Sequence, residues 1–362
     1  LKLRMALGIV KVNPVDAEKY AKEAIQAGVL EDKDILINKS YSNELRRMMD
    51  WLDSGIGSSI VAFMNGYNDP RRPLYFTTNV RHLVKKTAEP TGEKDQNNED
   101  IYNESDILIR KGAQYIGVPV GCELGNKNGG NDNQRVYYSF LAGGYATPQP
   151  IMFAAEGWFL RAEANLRWTD AGQQSVKELY EKGIEVSIRN QKSYRQSDAA
   201  AAWTEKKLTA PDWAAIDDAA ISSYINDDTS SPEGYTDPWK PEYNSDPTTS
   251  ITVKWDEGAS NEEKLERIIT QKWIANFPLS TEAWADYRRT GYPKLFRPKQ
   301  NLAPSIIDTQ LGPRRLLYNE TELSSNTVEV NNAIQLLKAE SSEVKGDGDT
   351  GGTRLWLSLI HI

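Results

Sequence analysis

Two glutamates, Glu156 and Glu163, stand seven residues apart in a stretch with helical spacing, which puts both on one helical face. Paired carboxylates are the minimum equipment of a glycosidase, one as acid and the other as base or nucleophile. Arg161 and Arg167 lie on the same stretch, however, and acids with basic neighbours at helical spacing commonly form ion pairs. The structural role is the simpler one. No serine occupies a nucleophile elbow, no histidine pair has metal-ligand spacing on a helix, and no Gly-Lys-Ser/Thr loop could cradle phosphate. No catalytic residue is assigned.

Cys122, His82 and His361 are too few for the usual zinc sites. Asp347-Gly348-Asp349 and the acidic stretch 95–106 carry oxygen ligands that calcium would accept, but neither has the twelve-residue pattern ending in Glu. Solvated turns are the simpler reading, with calcium the alternative, and no cofactor is expected. Arg288 and Arg289 follow Trp284 and Tyr287, where guanidinium groups stack on rings or pair with Glu282 and Asp286. Trp158, Trp273 and Trp284 fall on apolar stripes and read as core.

The stronger chemical signal is aromatic. The chain has 10 Trp, 17 Tyr and 7 Phe, and several lie among Asp, Ser, Thr and Pro between residues 195 and 260. A sugar ring presents a C–H face that stacks on indole or phenol while its hydroxyls bond to nearby polar side chains. Trp203, Trp213, Tyr235 and Trp239 are therefore the expected ligand-binding residues. The competing role is to pin a long loop to its scaffold.

The net charge of −8, from 51 acids and 43 bases, argues against a duplex nucleic-acid partner, which requires a concentrated basic face. No run approaches the roughly 20 apolar residues that span a bilayer.

The elements that must position these residues read as mainly helical. Residues 14–27 have helix start and stop signals, with Pro14 early and Gly28 after the last periodic position. A second helical stretch is expected near 43–52. Segment 68–150 is rich in glycine and reads as irregular with short strands, NDPRRPLYF being a turn and an extended piece, and 89–106 an exposed loop. Periodicity returns at 151–168, where Ile151, Ala155, Trp158, Phe159, Ala162 and Leu166 form one stripe, and again through Val176, Leu179, Tyr180, Ile184 and Ile188. Together they make a helical hairpin over 151–190, of the kind that stacks into tetratricopeptide-like arrays, although no clean 34-residue repeat is visible. Residues 195–260 form the aromatic-rich loop region, and helices resume over 262–291, interrupted at Pro278.

The stretches FAAEGWFLRAEANLRW at 153–168, YEKGIEVSI at 180–188 and ITQKWIANFPLSTEAWADYRRTGYPKL at 269–295 resemble the SusD/RagB family of nutrient-binding outer-membrane lipoproteins, in its SusD-like branch. LRMAL at 3–7, NDPRR at 68–72, IGVPVG at 116–121, PRRLLY at 313–318 and GGTRLW at 351–356 extend the resemblance nearly end to end. It implies a single domain over 1–362 of stacked helical hairpins with long loops and a few short strands. It also implies a surface-exposed, N-terminally lipid-anchored protein that captures glycan for a SusC-like TonB-dependent transporter without chemistry of its own. The family's lipid-bearing cysteine and first helices have no counterpart here, so the chain is expected to be the C-terminal part of a longer one, with the membrane reached only through that missing anchor. The ending LSLIHI at 357–362 is unlike the family and is read as artefactual.

The rival readings are a peptide-binding member of the same family, a polysaccharide hydrolase, and a helical scaffold without a small ligand. Losing N-terminal helices would uncover an apolar face that stacked hairpins normally bury, so the isolated chain is expected to be poorly soluble. Size-exclusion chromatography checks this, and a monomeric profile with a cooperative melt would contradict it.

Overall fold

The computed structural model describes residues 1–37, 55–125, 137–143, 147–310, 312–341, 344 and 348–355. Helices α1 (Lys2–Gly8) and α2 (Pro14–Ala27) come first, α2 starting at the Asn13 cap and Pro14. Strand β1 (Ile35–Ile37) follows, and then α3 (Ser58–Gly66), apolar all round and almost wholly buried. The expected helix at 43–52 lies outside the described residues.

After α3 comes the single helical turn α4 (Arg72–Tyr75), where an extended piece was expected. Short strands β2 (Leu83–Val84), β3 (Pro90–Lys94), β4 (Asp100–Tyr102) and β5 (Ile107–Ile109) make two antiparallel pairs, β2 with β5 and β3 with β4. The stretch expected as a bare loop at 89–106 is thus largely a hairpin. Several of its acids are paired with cations, Asp100 with Lys94 at 2.6 Å, Glu99 with Lys111 at 2.7 Å and Asp106 with Lys85 at 3.3 Å. Asp349 accepts from Arg315 at 2.5 Å, whereas Asp347 lies outside the described residues. Among the described residues no three acids, histidines or cysteines converge as a metal would require.

Strand β6 (Gln149–Met152) pairs antiparallel with β1 and leads into α5 (Ala154–Arg167). Ile151 belongs to this strand and is 50% exposed, not part of the helical stripe assigned to it. Helix α6 (Val176–Glu205) opens on a capping box in which Ser175 and Glu178 satisfy each other's backbone N–H groups. It runs 30 residues, 15 beyond the expected end at 190, so residues 195–205 are helix rather than loop. The short α7 (Asp218–Ile225) interrupts the loop region again. Helix α8 (Asn261–Ala275) has its own capping box, Ser260 with Glu263, and α9 (Ser280–Thr290) ends on Gly291 in the left-handed conformation. Helices α10 (Glu320–Ser325) and α11 (Thr327–Glu340) complete the order.

The hairpins stack as expected. Helix α5 lies against α6, α8 and α1, and α1 lies against α2. Within the α5/α6 pair Gly183 is obligatory, because a Cβ there would stand 2.9 Å from the Phe159 ring. The principal core joins Phe63, Phe159, Tyr180, Ile184, Ile268 and Trp255. Tyr67 and Tyr180 donate their hydroxyls to the carbonyls of Ile251 and Val253, at 3.0 and 2.6 Å, fastening the 251–255 segment to it.

The charged residues of the family-like stretches hold the stack together. Glu156 and Glu163 are fully buried on α5. Arg4 reaches from α1 to bond Glu156 bidentately at 2.8 and 2.6 Å and Glu282 at 3.0 Å. Lys272 of α8 pairs with Asp286 at 2.7 Å and approaches Glu156 at 3.6 Å. Arg289 of α9 makes a two-pronged contact with Glu163, Nη2 to Oε2 at 2.9 Å, and bonds Asp286 at 2.8 Å, while Arg167 closes on Glu163 at 2.8 Å. Four carboxylates meet four cations, so the buried cluster is neutral. Arg161 is not part of it and bonds Glu31 at 2.5 Å.

Burial alone would push the Glu163 carboxyl up, but Arg289 and Arg167 outweigh it and hold it well below the usual carboxylate range. Lys272 and Arg289 do the same, against burial, for Asp286. Carboxyls depressed on folding stabilise the native state above the unfolded-state pKa of about 4, and that stability is lost as pH falls below it. Glu163→Gln keeps the shape but leaves Arg289 and Arg167 under-compensated, and is expected to cost about 3–5 kcal/mol at neutral pH. Urea unfolding at pH 7 and pH 4 checks this: the variant loses less than the parent between the two, and an unchanged midpoint at pH 7 would contradict the assignment.

Candidate functional site

The turn between α3 and α4 sends successive arginines to opposite sides. Arg71 is fully buried and bonds Asp69 through Nε at 2.9 Å and Nη2 at 2.6 Å. It also reaches Ser187 of α6, Tyr224 of α7 and Gln271 of α8 at 3.0, 3.1 and 3.0 Å. Burial penalises its charge, yet Asp69 holds the guanidinium protonated. With that turn fixed, Arg72 stays at the surface, donating from Nε to the Asp69 carbonyl at 3.2 Å and from Nη1 to Asn65 Oδ1 at 3.3 Å. Its guanidinium lies 5.3 Å from the centre of the Tyr115 ring.

Asn65, on the last turn of α3, donates in turn to the Tyr115 carbonyl at 3.3 Å. The 113–116 segment is held by Asn79, whose amide nitrogen donates to the carbonyls of Arg81 and Arg110 at 2.9 and 2.8 Å. Asn79 Oδ1 accepts from Gln114 N at 3.0 Å. Burial raises the Tyr115 hydroxyl, which therefore stays neutral and able to donate.

A third wall comes from residues 233–238. Gly66 lets that loop seat on α3, since a Cβ there would lie 2.2 Å from the Ser231 carbonyl oxygen and 2.4 Å from Glu233 N. Tyr235 and Ser245 exchange backbone hydrogen bonds at 2.8 Å, and Asp237 accepts from the backbone N–H groups of Trp239 and Lys240. These walls enclose a cleft of about 610 Å³. Its polar equipment is Asn65, Asn68, Arg72, Gln114, Glu233 and Thr236 around the Tyr115 ring. Amides, a guanidinium, a carboxylate and a hydroxyl around one ring suit a polyhydroxylated ligand. The catalytic alternative fares differently: Glu156 and Glu163 are buried and ion-paired in the helical stack, away from this lining.

Of the expected aromatic residues, only Tyr235 lines this cleft, and its ring is 7% exposed with the hydroxyl donated to Asp237 at 3.2 Å. Trp203 is on helix α6, not in a loop, and is 3% exposed. Its indole N–H bonds the Pro73 carbonyl at 3.2 Å and its ring meets Tyr115 edge-on at 6.4 Å, so it stands behind the cleft wall. Trp239 is half-buried against Tyr137 and Tyr138 and donates to the Val84 carbonyl at 3.2 Å. Trp213 is half-buried in a short turn against Ala142, Ala199 and Ala202. In this arrangement all four fasten loops or walls to the scaffold. Trp284, expected in the core, is half-exposed, with Arg288 stacked 3.7 Å from its ring. Asn65, Arg72, Gln114 and Tyr115 line the cleft and were not singled out by the sequence patterns; the second arginine of NDPRR was the available signal.

Among known proteins, the profile of the SusD-like family, described as Susd and RagB outer membrane lipoprotein, matches residues 1–210 and 212–358. A SusD homologue from Bacteroides thetaiotaomicron is 33% identical, with a TM-score of 0.75 over 99% of this chain and 64% of its own. A chitin-binding SusD homologue from Flavobacterium johnsoniae is also 33% identical, with a TM-score of 0.71 over 99% of this chain and 62% of its own. A third, from Bacteroides uniformis, is 31% identical with a TM-score of 0.71 over 98% of this chain and 63% of its own. The chain therefore spans under two thirds of the length of these relatives. No curated protein matches it. With the profile matched along nearly its whole length and the stacked helical fold shared with these homologues, the chain belongs to the SusD-like family of outer-membrane lipoproteins.

Proposed function

We propose that the protein captures a glycan at the bacterial cell surface, in the cleft around Tyr115, and passes it unchanged to a SusC-like TonB-dependent transporter. The observation that carries the reading is the cleft itself, lined by the hydroxyl-compatible side chains Asn65, Arg72, Gln114 and Glu233 together with Tyr115. The chitin-binding relative supports an oligosaccharide ligand. Binding draws on ring stacking and a few hydroxyl contacts and needs no proton transfer.

Titration calorimetry against a panel of neutral oligosaccharides, with chitin oligomers among them, tests the proposal. Tyr115→Ala and Arg72→Ala are each expected to weaken the best ligand by about tenfold, equivalent to about 1.4 kcal/mol. If peptides bind and no oligosaccharide does, the peptide-capturing reading replaces this one. Release of reducing sugar that disappears on mutating a carboxylate pair would instead establish a hydrolase.

Gly66→Ala provides a second test, because the new methyl group must displace the 231–233 backbone. It is expected to cost about 1–3 kcal/mol in thermal or urea unfolding and to impair ligand binding in protein that is still folded. Unaltered affinity would remove that loop from the site.

A further inference from the structure

A second cleft, of about 330 Å³, opens where the β3/β4 hairpin meets the residues leading into β2. Arg81 and His82 line one part of it, Asn98 and Tyr102 of the hairpin another, and Tyr137 is shared between its lining and the Trp239 contact. The backbone is held on both sides. Asn79, which fixes the 113–116 segment of the first cleft, also donates to the Arg81 carbonyl at 2.9 Å. At the hairpin tip one Asp95 oxygen accepts from the N–H groups of Asn97 and Glu99, both at 2.8 Å, and Asn98 takes the left-handed conformation with φ 63°.

The charges of the lining decide what it can take. Glu99 and Asp100 line the cleft, but each is already paired, with Lys111 and Lys94. Arg81 is exposed and has no carboxylate partner among the described residues. Burial raises the Tyr102 and Tyr137 hydroxyls, and the Arg81 charge opposes the rise in both, so the guanidinium and the two phenols face one space. The one unspent charge of the lining is therefore positive. Neutral donors accompany it. His82 accepts the Lys111 N–H at Nδ1 over 3.2 Å, which leaves the ring proton on Nε2, and burial keeps that ring neutral. Tyr137 is 6% exposed, and its hydroxyl has no hydrogen-bond partner among the described residues and is not sealed from the cleft.

A planar guanidinium fork matches a carboxylate, and the paired acids of the hairpin keep lone pairs that accept from hydroxyl groups. We propose that this cleft is a second binding site, for the carboxylate-bearing ring of an acidic saccharide, a uronate. The carboxylate pairs with Arg81, and the ring hydroxyls are shared among Tyr137, Asn98 and the hairpin carboxylates. A neutral sugar would leave the cation unused, and an aromatic acid would set an apolar ring against carboxylates. The volume is at the small end of small-ligand sites, roughly 300–1,000 Å³, and suits one sugar residue. The site does not depend on the Tyr115 cleft taking a glycan.

The probes are trigalacturonate and a β-1,4-linked glucuronate trimer, each titrated calorimetrically into the full chain beside its methyl ester, which keeps the ring and removes the charge. Saturable one-to-one binding of at least one acid is expected, about tenfold tighter than its ester, the worth of one charge-assisted pair at a partly exposed site. Arg81→Ala should bring the acid down to the affinity of the ester and leave the ester unchanged. The Arg81 side chain is exposed, so this variant is expected to keep the parent's melting profile. Tyr137→Phe should weaken acid and ester alike, by a few-fold. Tyr115→Ala, which damages the first cleft, should leave uronate affinity intact, so failure of either site is seen separately from failure of the other. No saturable binding by either acid, equal affinity for acid and ester, indifference to Arg81→Ala, or loss of uronate binding in Tyr115→Ala would each overturn the proposal.

Discussion

The Asp69–Arg71 ion pair is the constraint on which the arrangement turns. A guanidinium with no solvent exposure has to find every partner inside the protein, and Arg71 finds them on three different helices as well as on Asp69. Satisfying one side chain therefore fixes where α6, α7 and α8 stand relative to the turn after α3. That turn also carries Arg72, so an electrostatic requirement in the interior sets the position of the cation that faces the cleft.

The second charged cluster makes the same point for the helical stack. Arg4, Lys272 and Arg289 come from α1, α8 and α9, and the acids of α5 and α9, together with Arg167, bind them into one neutral group. The stretches by which the family is legible are thus spent on internal bonding. They specify how hairpins meet and say little about what is bound.

Much of the scaffold was legible because apolar spacing reports burial directly. The hairpin of α5 and α6, the break near Pro278 and the end at Gly291 all follow from periodicity and breakers. The second half of α6 escaped because its buried face runs through Gln191, Arg195, Ala199, Ala202 and Trp203. Arg195 there bonds the Ala142 carbonyl at 2.9 Å and lies 5.2 Å from the Tyr75 ring centre, so a polar residue occupies a core position and hides the stripe. The cleft was harder still. Asn79 holds the segment that sets Tyr115 beside Asn65 and Arg72, and the close approach at Gly66 seats the 233–238 wall, and neither is visible as a pattern. Aromatic content in a polar stretch pointed to Trp203, Trp213, Tyr235 and Trp239, of which Tyr235 lines the cleft and the others pack beside or behind its walls.

Helix α6 has a mechanical consequence. At 30 residues it is about 45 Å long, and it packs into the hairpin core near Tyr180 at one end and supports Tyr115 through Trp203 at the other. A strut anchored at both ends makes the wall of the cleft and the helical stack a single stiff body. On the proposed reading the wall is a mould set before the glycan arrives: little backbone entropy is left to lose there on binding, and selectivity falls to the fit of the lining side chains.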